Sequence, residues 1–407
     1  MDKDSYSLVS SKHRKTARPI RPDMTSISIE KTGLVFRGSE KAPQLVNAAF
    51  PSVVESTSGE LVVTLNIGKT RNHAGVRSYC CRSTDGGETW TSPEKIFEPD
   101  ESLNLVSTGI RMSGTPGGEL VGFVNLLDRS DADAPTTNRE TGGTVEREHA
   151  IIRSFDGGRS WSELEHFHPP IDWKCLGEPS PVLALSDQRW LLPSLTRLNW
   201  QGECPFGLKS FVMISEDRGK SWPRATDVFN LWPEGKVTWE QKQIRLTDGR
   251  LLAVTWVFDA KTNRNLPNHY TFSGDDGDTY LPALQSPLQG QTCTPLALAD
   301  NHILCVYRRL DRNGLWAHLA RIEGRSWIPM AEKILWGQTI EALAGAGDSS
   351  IQHQHRLQFG YPQLIRLVDG GVFVVFWGME DGLSVIRWFR LKVSERINGD
   401  KCVNLNG

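Results

Sequence analysis

Along this chain, short runs of alternating or wholly apolar residues follow one another at close intervals, and no long stretch carries the 3.6-residue apolar period of a helix. The runs pair up. A strand, a tight turn and a second, very apolar strand appear as PSVVESTSGELVVTLNI (Pro51–Ile67), IRMSGTPGGELVGFVNL (Ile110–Leu126) and PVLALSDQRWLLPSL (Pro181–Leu195). The same unit returns as QIRLTDGRLLAVTWV (Gln243–Val257), PLALADNHILCVYRR (Pro295–Arg309) and PQLIRLVDGGVFVVFWG (Pro362–Gly378). Six copies at a spacing of roughly fifty to seventy residues predict stacked sheets, because a lone hairpin cannot bury both of its faces. Closing six such units into a ring predicts an all-β, six-bladed propeller.

A second repeat interleaves with the first. STDGGETW (Ser83–Trp90), SFDGGRSW (Ser154–Trp161), SEDRGKSW (Ser215–Trp222) and SGDDGDTY (Ser273–Tyr280) agree position by position, and EGRSW (Glu323–Trp327) is a worn fifth copy. The chemistry is that of a turn: Asp accepts backbone N–H groups, Gly takes positive φ, and the closing aromatic tucks between neighbouring sheets.

This Ser-x-Asp-x-Gly-x-Thr-Trp pattern is similar to the Asp-box of the sialidase (neuraminidase) superfamily, and the chain resembles that superfamily from about Ala48 to Arg390. The resemblance implies a propeller of four-stranded antiparallel blades, in agreement with the hairpin count. The last hairpin is followed by a single strand near Leu383–Val393, so its blade is one strand short, and the strand near Ile27–Phe36 is expected to complete it. The expected organisation is a flexible basic tail at 1–26, one propeller at 27–395 and a C-terminal tail at 396–407.

Composition narrows the function. Lys and Arg total 46 against 48 for Asp and Glu, a balance that argues against nucleic acid as partner. No run of eighteen apolar residues predicts a membrane span. The first twenty residues lack an apolar core of signal-peptide length, so a cytoplasmic protein is expected, or a secreted one if a leader is missing. Seven cysteines show no metal-like spacing, His166 with His168 and His353 with His355 lack a third ligand nearby, and no cofactor is expected.

Strand order sorts residues by face. The four turn aspartates, Asp85, Asp156, Asp217 and Asp275, fall on one end and are structural. The other end collects Phe50, Thr108, Glu178, Glu240, Thr292 and Tyr361 at the starts of first strands. It also collects Arg71, Asp128, Arg197, Trp256, Arg308 and Arg309 near the ends of second strands, with His353 and His355 on a long loop.

The resemblance implies a Tyr nucleophile activated by a Glu, an acid/base Asp and three Arg that clamp a substrate carboxylate. Tyr361, in GYPQL, and Glu240, ahead of the DGRLL turn, hold the first two positions. The first clamp position carries Ala48-Ala49-Phe50-Pro51 and the second Trp256, leaving Arg308 or Arg309 for the third. The loop GKTRNHAG (Gly68–Gly75) has no carboxylate, and His73 is its only proton carrier near neutral pH. His73, Asp128, Asp131, Asp133 and Glu178 are candidates for the acid.

The expected activity is therefore an exo-acting glycoside hydrolase of sialidase type, on a sialic-acid-like or other modified terminal sugar. Trp256 would offer a stacking surface, and Arg71, Arg197, Arg308 and Arg309 would approach an acidic sugar from new directions. Two other classes stay open: a polysaccharide lyase on a uronate-containing glycan, using His353, His355, Tyr361 and Arg308, and a glycan-binding propeller without turnover.

Overall fold

The computed structural model describes residues 26–39, 41, 47–69, 75–98, 105–129, 135–177, 180–340, 357–397 and 401–404. Among them the strands form six antiparallel sheets in sequential order. Blade one is Asn47–Glu55, Leu61–Gly68, Arg77–Ser83 and Glu94–Lys95. Blade two is Leu105–Gly114, Leu120–Asp128, Arg147–Ser154 and Glu165–Phe167; blade three is Leu183–Ala184, Trp190–Leu195, Ser210–Ser215 and Arg224–Phe229. Blade four is Lys236–Arg245, Leu251–Asp259, Arg264–Ser273 and Leu284–Gln285; blade five is Gly290–Ala297, His302–Arg309, Leu315–Glu323 and Ser326–Trp336. Blade six takes Phe359–Arg366, Val372–Glu380 and Leu383–Ile397, and its fourth strand is Ser26–Arg37 from the other end of the chain. The six expected hairpins are the first and second strands of these blades.

Second strands read as unbroken apolar runs because neighbouring blades cover both of their faces. Every residue of Leu61–Gly68 is buried. Val63 and Leu65 pack toward blade six with Phe373, Val375 and Trp388, while Val62 packs toward blade two with Ile110, Leu120 and Ile152. The hydroxyl of Thr64, interrupting the run, donates to the Ile110 carbonyl at 3.0 Å. Cys80 and Cys81 lie in the buried third strand of blade one, and burial pushes both thiols up to about 12, as suits packing rather than reactivity.

The four Ser-x-Asp-x-Gly segments join third to fourth strands. In the first, Asp85 accepts from the Thr89 N–H and hydroxyl (2.9 and 2.6 Å), and Ser83 Oγ accepts from the Gly87 N–H (2.8 Å). The other three repeat this pattern. Hydrogen bonds from Thr89 hold the Asp85 carboxyl down at about 2. In the worn fifth copy a tight turn, with Glu323 opposite Ser326, replaces the aspartate.

Two boundaries move. The expected tail at 1–26 lies outside the described residues except for Ser26, which opens the closing strand. At the other end, Lys401–Asn404 pairs antiparallel with Leu383–Ile397, where a tail was expected, because that strand runs fifteen residues and extends past its blade partners.

Candidate active site

The inner strands share one irregularity. Ladder pairing skips two residues between Ala49 and Ser52, Trp239 and Lys242, Gln291 and Thr294, and Gly360 and Gln363. The first skipped residue is left-handed in each: Phe50 (φ 55°), Glu240 (49°), Thr292 (53°) and Tyr361 (55°). Such a conformation costs a non-glycine residue about 1–3 kcal/mol, and a β-branched one like Thr292 rarely adopts it. Four at one structural step mark a ring of re-aimed side chains at the narrow end of the blades. Blade two skips between Ser107 and Ile110 as well, with Gly109 at φ 122°. The Ser-x-Asp turns lie at the opposite end, since Ser83 pairs with Leu61 while Ala49 pairs with Asn66 at the far end of the same strand.

Tyr361 is 5% exposed and central to this ring. Phe50 meets it edge-on at 5.4 Å between centroids. The Arg111 guanidinium carbon lies 4.1 Å, and Lys242 Nζ 4.9 Å, from the centroid of its ring. Arg111 also donates to the Phe50 carbonyl at 3.3 Å. Burial, then repulsion by Arg111, pulls the Lys242 ammonium down to about 7 against the opposing pull of Glu240. Lys242 thus lies near the Tyr361 ring and two residues along its strand from Glu240, whose charge it feels.

Arg308 joins the group from blade five. It is 3% exposed and donates to the Phe359 carbonyl (2.8 Å) and to Gln291 Oε1 (2.6 Å). A side chain on Gly360 would lie 2.5 Å from its Nη1, so this position, at φ 155°, admits only glycine if the guanidinium is to stay.

Other expected residues fare differently. Arg309, next to Arg308 and therefore on the opposite face of the strand, is taken by Asp311 (2.7 Å) and Glu332 (2.8 Å) and lies over Trp316, so it serves blade five and is not part of the mouth. Trp256 is not an open stacking platform: it is 6% exposed and stacks on its cross-strand partner Trp239 at 5.8 Å. The half-buried Trp239, beside Glu240, carries Arg197 over its ring at 5.4 Å. Asp128 is exposed and lines a separate cleft of about 420 Å³ with Glu146, Asp172, Lys174, Trp200 and Gln201. Arg71, His73, Asp131, Asp133, Glu178, His353 and His355 lie outside the described residues.

Sorting strand ends missed Arg111 and Lys242. Their signal was a charged residue inside an inner strand, IRM at 110–112 and QKQ at 241–243, where a residue facing only packed neighbours should be apolar. Among the described residues no three His, Cys, Asp or Glu come together as a metal site, and no helix is long and apolar enough to cross a membrane.

With this geometry in hand, comparison with solved structures is decisive for architecture. A protein of unknown function from Dyadobacter fermentans aligns at TM-score 0.67 and 20% identity, over 90% of this chain and 98% of its own. The NanB sialidase from Streptococcus pneumoniae aligns at 0.61 and 12% identity (88% and 70%), and the intramolecular trans-sialidase from Ruminococcus gnavus at 0.61 and 12% (88% and 96%). The fold is the sialidase-like propeller. No family model and no curated protein matches the chain by sequence. At these identities the likeness shows the fold alone.

Proposed function

We propose that the protein is an exo-acting glycoside hydrolase of sialidase type. Tyr361 attacks the anomeric carbon through its phenol oxygen while Glu240 takes the phenol proton, and the bond to the leaving oxygen breaks as that oxygen is protonated. Water then releases the sugar from Tyr361. The observation that carries this reading is that Tyr361 and Glu240 stand, left-handed, at the same step of two inner strands, with Lys242 Nζ 4.9 Å from the Tyr361 ring centroid and under the charge of Glu240. The substrate is a sialic-acid-like or other modified terminal sugar, presented to a mouth with Arg111, Lys242 and Arg308 beside Tyr361.

The test is a panel of chromogenic α- and β-glycosides, a sialoside included, against wild type and Tyr361→Phe. Wild type releases the chromophore from at least one, and Tyr361→Phe lowers kcat by about 100-fold or more while still binding the sugar. Equal turnover by the two proteins rejects Tyr361 as nucleophile. An unsaturated, ultraviolet-absorbing product from a uronate-containing glycan replaces hydrolysis by elimination.

A further inference from the structure

Around Tyr361 three buried side chains offer hydrogen-bond donors that no acceptor among the described residues takes up: Lys242 Nζ, Gln363 Nε2 and Thr292 Oγ1. Each residue is 4–5% exposed. Lys242 and Gln363 occupy the same step, the first paired residue after the skip, on the inner strands of blades four and six. In blades one and five that step carries Ser52 and Thr294, whose hydroxyls donate to a carbonyl of the next blade at 3.2 and 2.6 Å. The two longer side chains make no such bond. Thr292 Oγ1 lies 3.9 Å from the point where a Cβ would stand on Gly360, the residue before Tyr361.

We propose that Lys242 is the residue that reads negative charge on the ligand, its ammonium receiving a carboxylate of the sugar at Tyr361 while Gln363 and Thr292 supply neutral donors. The proposal deepens the glycosidase reading and rests on it for the place of the sugar. A desolvated ammonium without an acceptor is unfavourable, and an oxyanion supplies both the charge and the lone pairs that it lacks. A neutral hydroxyl supplies only the second. Two of the three clamp positions implied by the resemblance carry no Arg, and Arg308 at the third donates to Phe359 and Gln291, so on this proposal the charge of an acidic sugar is read from the inner-strand floor.

The charged and titratable groups facing Lys242 are Arg111 from blade two, Glu240 on its own strand, Cys293 from blade five and the Tyr361 ring from blade six. In their company the amine titrates near 7, so at pH 8 most of it is neutral in the free protein. A bound carboxylate favours the ammonium, and binding must then draw a proton from solution.

Calorimetric titration of the full chain at pH 8, in two buffers of different ionisation heat, measures that proton. The probes are sialic acid and glucuronate, with glucose as the neutral control. Wild type is expected to bind one of the two acids with uptake approaching one proton per site, and to bind glucose without uptake. Lys242→Met loses affinity for the acid by on the order of tenfold or more and loses the uptake, while Lys242→Arg binds the acid with no uptake because its guanidinium is always charged. Melting curves establish that both variants are folded. Binding of the acid without uptake in wild type, unchanged uptake in Lys242→Met, glucose bound as tightly as the acids, or no binding of either acid overturns the proposal. Wild-type turnover separates it from catalysis: proton uptake by a wild type that turns over none of the glycosides supports the role of Lys242 and removes only the hydrolase reading.

Discussion

Lys242 also makes a statement about stability in the absence of any ligand. Its ordinary value of 10.5 applies in the unfolded chain, whereas burial brings it to about 7 in the folded one. Between these values the unfolded chain holds a proton that the folded chain has released, so stability rises as pH rises from 7 toward 10. Below 7 both states are protonated and the full penalty of the buried charge is present. Lys242→Met, which keeps the length and removes the charge, is expected to melt higher than wild type at pH 6, with the gap closing toward pH 10. Parallel melting curves across that range would show that the amine is not desolvated in the fold. Tyr361 and Glu240 were singled out as candidates at the expected starts of first strands, although both lie inside their strands, and Lys242 was not: a bulge resets the alternation of faces, and period-two reading carries no sign of where it falls. Adjacency explains Arg308 and Arg309 in the same way. The sequence offered either, and only the phase of the strand sends one to the mouth and the other to Asp311 and Glu332.

At the level of elements, the hairpins and the Ser-x-Asp turns were readable because each is local, with partners two to four residues away. Junctions between blades were not, since they join residues far apart in the chain. Gly360 illustrates such a junction. Its missing side chain lets Arg308 of blade five reach the Phe359 carbonyl of blade six, across 51 residues of sequence. Gly360→Ala must displace the guanidinium or the strand, and the loss is expected at about 1–3 kcal/mol in denaturant unfolding. The same displacement moves Tyr361, the next residue, so sugar affinity should fall with it. A Gly360→Ala protein with wild-type stability and wild-type affinity would mean that Arg308 is not fixed by this contact.

A ring of blades has one seam, and here blade six holds it by pairing Ser26–Arg37 with Leu383–Ile397 from the opposite end of the chain. Ile27 packs with Leu391 and Val393 on one side of the seam, and Val35 with Ile386 and Trp388 on the other. Arg387 reaches across it to Thr32, and Arg390 to Glu30. An open seam would expose the unpaired edge of Leu383–Ile397, which is why a single early strand of modest apolarity was expected to close the propeller. Closure also bears on the site, because it completes blade six, whose inner strand carries Tyr361 edge-on against Phe50 of blade one. A chain beginning at Gly38 should therefore lose its sharp unfolding transition and its binding of sugar together. A synthetic peptide with the sequence of Ser26–Arg37 should restore both, at peptide concentrations that track one another in the two measurements. Were the shortened chain to bind as wild type, the contact between Phe50 and Tyr361 would have to be held by blades one and two alone, through Arg111, and the seam would have no part in shaping the site.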